Sequence, residues 1–296
     1  MIQTRKIALV SAALVVTATF AAACGSSKKS TTPPAGDIVV RGDGSPADFA
    51  CNGSFTDPAT LNSNIGFNVL TTEQHLDGTT PPLSGTYVVP VDLATAATNG
   101  TAVLSNGSGL AVITTKDNTR IHLKGRHDPM TVGATTVNYV DTTAYNFITP
   151  SVISTSGQYV LRMIPQTIYS AFVGLLGVLP ADVVGKYQLA GSIGDCTQQD
   201  AQIMNATVEL PGGHRCGEST AVPCIAYISN NTPNTGAKHT DSTGAFIIVG
   251  LTPNTQTTVK IMGITTAGQA ATQIGELIVN GKPDTVSLGV ATPLRQ

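Results

Sequence analysis

The chain has 296 residues and a formal net charge of −2, and only 11% of its residues are charged. This composition excludes an extended polyanion-binding surface, so nucleic acid is not expected as a partner. Tryptophan is absent and aromatic residues make up 5% of the chain, which argues against the stacking platforms of single-strand or sugar-binding grooves. The abundance of β-branched residues, together with 30 glycines and 17 prolines, is typical of an exported all-β protein.

The first 24 residues have the layout of an export signal. Arg5 and Lys6 precede an apolar run over residues 7–20, and the small residues 21–23 lead directly to Cys24. This pattern resembles the lipobox of bacterial lipoproteins, although position 21 carries alanine where that family prefers leucine. The resemblance implies cleavage of a signal peptide, residues 1–23, before Cys24 and acylation of the Cys24 thiol.

Two other interpretations of the same segment stay open. It can be an ordinary secretory signal followed by a chance cysteine, or an uncleaved membrane anchor. The anchor is the weaker of the two, because the apolar run is shorter than the roughly 20 residues that a bilayer requires.

Residues 24–37 follow as a flexible tether. The segment is polar, contains Pro33 and Pro34, and has no apolar periodicity, so we expect it to hold the folded part away from a membrane. A disordered N-terminus without a role predicts the same disorder. Gly25 follows the cysteine where aspartate would retain a Gram-negative lipoprotein at the inner membrane, and the resemblance therefore implies the outer membrane of the cell envelope.

From residue 38 onward, short apolar runs alternate with turn signals. Predicted strands cover residues 38–41, 65–70, 86–92, 101–105, 110–115, 120–124, 136–140 and 158–163. Asp77-Gly78, Asn99-Gly100 and Asn106-Gly107 suit tight hairpin turns between them. Strands at this spacing without intervening helices predict an N-terminal β-sandwich domain over residues 38–185.

One short helix is predicted near residues 166–178. Ile168, Phe172, Leu175 and Leu176 fall at helical spacing after Pro165. We interpret it as a buried helix at the junction between two domains, and a hydrophobic face for a partner is the alternative.

The second predicted domain covers residues 186–296. A strand is predicted over residues 187–193, and an Asp-Ser-Thr-Gly turn at residues 241–244 precedes an apolar strand and a Leu-Thr-Pro-Asn turn. The pattern resembles the carboxypeptidase regulatory-like domain, a transthyretin-like or prealbumin-like β-sandwich, through Gly191, Ile193, Asp195, Ala206, Thr207, Val208, Asp241, Gly244, Phe246, Gly250, Leu251 and Pro253. Asn254 and Gln256 depart from the family pattern. The resemblance implies tandem immunoglobulin-like or prealbumin-like sandwiches whose second member carries no chemistry of its own.

Four cysteines remain in the mature chain besides Cys24. They are Cys51, Cys196, Cys216 and Cys224, and an even number in an exported protein favours disulfides. Cys216 and Cys224 bracket a short loop and form the easiest pair, which would leave Cys51 to join Cys196 across the predicted domains. The rival interpretation is a zinc site at His214 and Cys216, although two ligands are too few to specify the metal.

No catalytic constellation is apparent in the sequence. Gly191-Ser192-Ile193-Gly194 is not a nucleophile elbow, and phosphate-binding and dinucleotide fingerprints are absent. His122 and His127 are expected to face solvent or to lie in turns.

The sequence therefore predicts a non-enzymatic envelope lipoprotein without cofactor or metal, bound to the membrane through Cys24. Its sandwich domains are expected to serve structural or binding roles towards an unknown protein or glycan. The alternative is a glycan- or peptide-binding accessory subunit of a surface uptake or degradation complex, with Tyr87, Tyr139, Tyr145 and Tyr159 as candidate binding aromatics.

Overall fold

Strands account for most of the ordered secondary structure, which confirms the predicted all-β class. The structure, a computed structural model, describes residues 37–295 except for 57–58, 60–63, 76–78, 92–96, 99, 117–119, 150–157, 199–200 and 230–231. The predicted signal peptide, Cys24 and most of the tether lie outside the described residues. Within the described part, no helix is long and apolar enough to cross a membrane.

Eleven strands precede the first helix of the described chain. They are β1 (Val40–Arg41), β2 (Asn64–Glu73), β3 (Thr86–Val91), β4 (Val103–Leu104), β5 (Leu110–Lys116), β6 (Arg120–His127), β7 (Met130–Val132), β8 (Thr135–Val137), β9 (Tyr139–Val140), β10 (Thr142–Ile148) and β11 (Gln158–Pro165).

Two helices and ten further strands follow. They are α1 (Gln166–Leu175), α2 (Pro180–Val183), β12 (Tyr187–Ile193), β13 (Ile203–Met204), β14 (Thr207–Glu209), β15 (His214–Arg215), β16 (Cys224–Ser229), β17 (Thr232–Asn234), β18 (Phe246–Leu251), β19 (Thr257–Gly263), β20 (Thr272–Val279) and β21 (Val286–Ala291).

A long mixed sheet, here called the central sheet, runs through both halves of the chain. Its strand order is β15-β16-β18-β12-β21-β10-β6-β3-β4, and β17 pairs with β16. A first covering sheet has the order β5-β2-β11-β9, and a second covering sheet has the order β14-β19-β20. Strands β1 and β13 form a separate antiparallel pair, as do β7 and β8.

The parallel pair of β10 and β21 joins the two halves, with Thr142 opposite Val286 and Tyr145 opposite Gly289. Ala144 lies in the core cluster that contains Phe67 and Leu161, whereas Tyr145 lies in the cluster of the C-terminal half. Because successive strand residues point to opposite faces, the two covering sheets pack on opposite faces of the central sheet.

The predicted boundary at residue 186 therefore does not separate two independent sandwiches. The central sheet continues across it, and the described residues belong to one compact body.

The segment of residues 38–55, here called the arm, was assigned to the N-terminal domain but packs on the C-terminal half. Val39 lies in the C-terminal core cluster, and β1 pairs with β13.

The predicted helix is confirmed as α1, but it is less buried than expected. Val173 packs towards Val249 of the central sheet, whereas Leu175 is 59% exposed. Gly177 follows the helix with φ of 70°, the left-handed conformation that glycine adopts at helix ends. The helix thus covers one part of the central sheet and leaves its own outer face to solvent.

Tyr145 ties the halves together and offers a first test. The Tyr145 hydroxyl donates a hydrogen bond of 2.8 Å to the backbone oxygen of Asn280, in the buried C-terminal core. Tyr145→Phe removes this donor, and we expect the free energy of unfolding to fall by about 1–2 kcal/mol in urea denaturation. Tyr87→Phe is the control, because the Tyr87 hydroxyl has no hydrogen-bond partner among the described residues. Equal effects of the two substitutions would contradict the assigned role of Tyr145.

Candidate functional site

The arm is fastened to the C-terminal half by an ion pair with Asp195. Arg41 Nε and Nη2 lie 2.8 and 2.7 Å from Asp195 Oδ2, and the backbone N–H of Asp48 donates to the same oxygen at 3.0 Å. The other carboxylate oxygen accepts the backbone N–H groups of Thr197 and Gln198 at 3.0 and 2.9 Å. The bonds from Thr197 and Gln198 form a turn of the kind in which an aspartate side chain accepts backbone N–H groups of the residues that follow it.

This environment keeps Asp195 ionised. Burial alone would raise the pKa of the carboxyl, but the hydrogen bonds from Asp48, Gln198, Arg41 and Thr197 outweigh burial and hold the pKa below its ordinary value. A buried carboxylate that accepts donors from two segments 147 residues apart in sequence holds those segments in one arrangement.

Both predicted disulfides are present. Cys51–Cys196 joins the arm to the residue that follows Asp195, with 5.8 Å between the Cα atoms, and Cys216–Cys224 closes a short loop. In the chain-entropy description, the long loop contributes about 5 kcal/mol and the short one about 2.6 kcal/mol. The zinc interpretation of His214 and Cys216 is wrong, because the sulfur of Cys216 is bonded to Cys224.

The arm makes further backbone contacts along its length. The Val39 N–H donates to the Ile264 oxygen at 2.9 Å, and the Gly53 N–H donates to the Leu294 oxygen at 2.9 Å. The Asn52 side chain donates to the Gln273 oxygen and accepts the Leu294 N–H. The arm, which directly follows the predicted tether, is therefore held against the C-terminal half from Ile38 to Phe55.

The four candidate tyrosines do not form one binding patch. Tyr145 is buried, and burial raises its pKa to about 12. Tyr159 packs edge-to-face on Phe67, and the Tyr139 hydroxyl donates to Glu73 Oε2 at 2.6 Å. Tyr87 lies on a different surface under the guanidinium of Arg126, 4.8 Å from the ring centroid. The aromatic platform that a glycan-binding role needs is not assembled from these residues.

The two neighbouring histidines have different environments. His122 was expected to face solvent or lie in a turn, but it is buried in β6, where its Nδ1 accepts the Asn146 N–H at 3.2 Å. The Nε2 atom of His127 lies 2.8 Å from the backbone oxygen of Ser84. The two rings therefore serve separate local contacts and do not share a site.

One concave surface is a cavity of about 830 Å³, here called the groove, that sequence reasoning did not locate. Its floor is one face of the central sheet, formed by alternate residues of three strands and the position before β18. These residues are Gln188, Ala190, Ser192, Ala245, Ile247, Val249, Val286, Leu288 and Val290. The opposite face carries Leu189 and Ile248 of the C-terminal core. The uninterrupted apolar run of β18, with side chains for both faces, was the sequence signal for this floor.

The walls of the groove are α1 and β11. Tyr169, Phe172 and Val173 contribute from α1. Gln188 orients the helix, since its Nε2 donates to the Tyr169 hydroxyl at 2.8 Å while its Oε1 accepts the Gly250 N–H at 2.9 Å. The buried amide of Gln188 thus has a partner at each end.

The edge of β11 that faces away from β2 borders the groove. Residues 158–163 pair with β2 on one side, and only Ile164 and Pro165 pair with β9 on the other. Among the described residues, no strand pairs with this second edge over residues 158–163. Side chains from both faces of β11, Tyr159 and Val160 among them, line the cavity, so the groove meets the edge of the strand.

The comparisons with known proteins give no family. No protein-family model matches the chain, and no curated protein matches it significantly. The resemblance to the carboxypeptidase regulatory-like domain therefore stays a prediction.

Three solved structures give weak matches. A Streptococcal ancillary pilin is 11% identical, with 78% of this chain and 69% of that chain covered and a TM-score of 0.19. A variant of the Streptococcus pyogenes major pilin is 6% identical over 79% and 99%, and a fimbrial protein from Bacteroides ovatus is 11% identical over 78% and 49%, each with a TM-score of 0.17. At these TM-scores the matches carry no argument about function.

Asp195 gives a pH-dependent prediction. Because its folded-state pKa is lowered, its stabilisation is present above the ordinary carboxyl pKa of about 3.9 and is lost as the pH falls through the folded-state pKa. We expect Asp195→Asn to lower the free energy of unfolding at pH 7 by about 2–3 kcal/mol. The difference from wild type should shrink below about pH 4, in urea denaturation at a series of pH values.

Asp43→Asn is the matched control, since it removes the same charge from an exposed position of the arm. It should leave the unfolding transition nearly unchanged at pH 7. An Asp195→Asn effect that persists undiminished at pH 2 would show that the charge of Asp195 is not the stabilising feature.

Proposed function

We propose that the chain is a non-enzymatic lipoprotein of the bacterial envelope. Lipid on Cys24 holds it in the membrane, the tether over residues 24–37 spaces it, and the folded body presents its groove to a partner. Several acyl chains, as lipoproteins carry, are needed for stable attachment, because a single chain binds a membrane only marginally.

The arm is the observation that best supports this proposal. Force applied between a membrane anchor and the body enters the fold at residue 38, directly after the predicted tether. There the chain meets the β1–β13 pair, the Arg41–Asp195 ion pair and the covalent Cys51–Cys196 bridge in succession. These contacts would resist force that is applied through the N-terminus.

The composition of the groove supports a binding role without catalysis. Its described floor is mainly aliphatic, and Arg162 is the one charged side chain among its described lining residues. General acid–base or nucleophilic chemistry requires titratable groups within hydrogen-bond reach of one another in such a site. Binding of an apolar segment requires only the shape and surface that the groove has.

Between the two accessory roles predicted from the sequence, the groove favours peptide over glycan. Of the candidate tyrosines, Tyr145 and Tyr159 line the groove and Tyr87 and Tyr139 do not, while the floor is mainly aliphatic and the groove runs along an edge of β11. These are the features that extended peptides use when they add to a sheet.

Metabolic labelling with radioactive palmitate tests the anchor. Wild type should incorporate label and Cys24→Ser should not, since the Cys24 thiol is the proposed attachment site. The double variant Cys216→Ser/Cys224→Ser is the control and should retain label, because its anchor cysteine is intact. Label on Cys24→Ser would refute the proposed anchor, and protease treatment of whole cells then shows which side of the envelope the body faces.

A further inference from the structure

The segment that joins the end of α1 to the start of β12 carries exposed aliphatic side chains. It covers residues 174–185 and is here called the knob. Leu175, Leu179 and Val184 are 59%, 60% and 73% exposed. The other exposed large hydrophobic side chains of the described chain lie on separate segments, namely Ile38, Leu104, Val112, Val132 and Val160. Single exposed side chains of this kind are ordinary, whereas a group within one segment marks an interaction surface.

The inner side of the knob is fixed to the body. It packs in one core cluster with the Cys216–Cys224 disulfide, and its buried side chains there are Leu176, Val178 and Val183. The same short segment therefore has an aliphatic side that belongs to the core and an aliphatic side that faces solvent.

The space around the outer side of the knob is open. A Cβ atom added at Gly174, Gly177 or Gly185 would meet no atom within 4 Å beyond its own chain neighbours. A projecting aliphatic surface can enter a fluid lipid layer directly, whereas a protein partner would have to offer a matching hollow.

The backbone of the knob forms hydrogen bonds within the knob itself. The Gly177 N–H donates to the Gly174 oxygen at 3.1 Å. The Asp182 N–H donates to the Leu179 oxygen at 3.0 Å. Because the apolar layer of a membrane offers no hydrogen-bond partners, a segment that enters it has to satisfy its backbone groups internally.

The charge distribution also suits contact with lipid. No Asp, Glu, Lys, Arg or His occurs over residues 163–181. A charged side chain within the apolar layer is costly, so an uncharged stretch of this length favours lipid as the occupant. We expect Asp182 in α2 and Lys186 after it to stay at the headgroup level, so that the contact reaches about 5–10 Å into the boundary between headgroups and acyl chains.

The chain outside the structure is long enough to bring the knob to an anchoring membrane. Residues 24–36 separate the predicted lipid site from the first described residue, and 13 residues of extended chain reach about 45 Å. The knob directly precedes β12, and Asp195, which binds Arg41 of the arm, lies just beyond the end of this strand. Strand β12 has seven residues and is about 20 Å long. The reach therefore exceeds the length of strand that separates the arm from the knob.

We propose that the knob docks on the membrane that holds the lipid of Cys24, and that its exposed aliphatic side chains enter the outer part of the apolar layer. The inference rests on the proposed anchor, which brings the knob close to a lipid surface. Three exposed aliphatic side chains bind a membrane weakly by themselves, but a tethered contact forms at a high effective concentration. The docked knob fixes the orientation of the body on the membrane and thereby the direction in which the groove opens.

Tryptophan fluorescence of a chemically anchored chain tests the docking. Cys24 is the one cysteine of residues 24–296 outside the two disulfides, so a maleimide lipid couples there selectively. The vesicles contain equal amounts of phosphatidylcholine and phosphatidylglycerol. The chain has no tryptophan, so Leu179→Trp introduces a single reporter. Its emission should shift to shorter wavelength, and brominated acyl chains should quench it about twofold, because the indole reaches the apolar layer.

Val132→Trp is the matched control. Val132 is 58% exposed on β7, outside the knob, so this reporter should keep the emission of a solvated tryptophan in the same vesicles. Leu175→Ser/Val184→Ser removes two outer side chains of the knob and should reduce the quenching of Leu179→Trp towards the Val132→Trp value. Its unfolding transition should stay unchanged, because both positions are exposed, and this measurement verifies the fold.

Three results would overturn the proposal. They are equal quenching of the two reporters, quenching of Leu179→Trp that is unchanged by Leu175→Ser/Val184→Ser, and a wavelength shift that grows with protein concentration without lipid. The last result would assign the knob to a second copy of the chain. Because the maleimide lipid replaces acylation, these results are independent of palmitate labelling. Absence of label in cells overturns the anchor, whereas an unquenched Leu179→Trp in the coupled protein overturns the docking.

Discussion

The parallel pairing of β10 with β21 is the contact on which the rest of the architecture depends. It joins a strand of the N-terminal half to a strand of the C-terminal half by direct backbone hydrogen bonding, from Thr142–Val286 to Tyr145–Gly289. The first covering sheet shares a core with β3, β6 and β10, and the second shares a core with β12, β16 and β18, so the two covering sheets are offset along the central sheet. Among the described residues, the offset leaves part of the central sheet without a covering sheet, and that part is the floor of the groove.

The arm adds a second constraint that acts over a long sequence distance. Residues near the start of the folded chain are bonded to a turn that follows β12, through Arg41–Asp195 and Cys51–Cys196. In sequence, the N-terminal half therefore lies between the arm and β10, and both of these segments contact the C-terminal half. In the proposed anchored protein, this arrangement passes load from the tether into the C-terminal half without first stretching the N-terminal one.

Local patterns were predicted well, and non-local ones were not. The strand at residues 187–193 was predicted with its observed bounds, and the disulfides followed from loop length and elimination. Strands β10, β16, β20 and β21 were not predicted, and the alternation of β10 is broken by an irregularity at Asn146, whose φ is 66°. The Arg41–Asp195 contact spans 154 residues, and no periodicity marks such a pair. The groove was missed for the same reason, because its floor and walls come from segments that meet only in the folded chain.

Native-state hydrogen exchange of the full mature chain tests most directly whether the two halves share one sheet. Amides of β10 and β21 that bond across the pair should exchange only through global unfolding, with the same opening free energy as protected amides of β6 and β12. A single highest free energy common to both halves is the predicted result. Two distinct values, one for β6 and β10 and another for β12 and β21, would show that the halves open independently and would contradict the shared sheet.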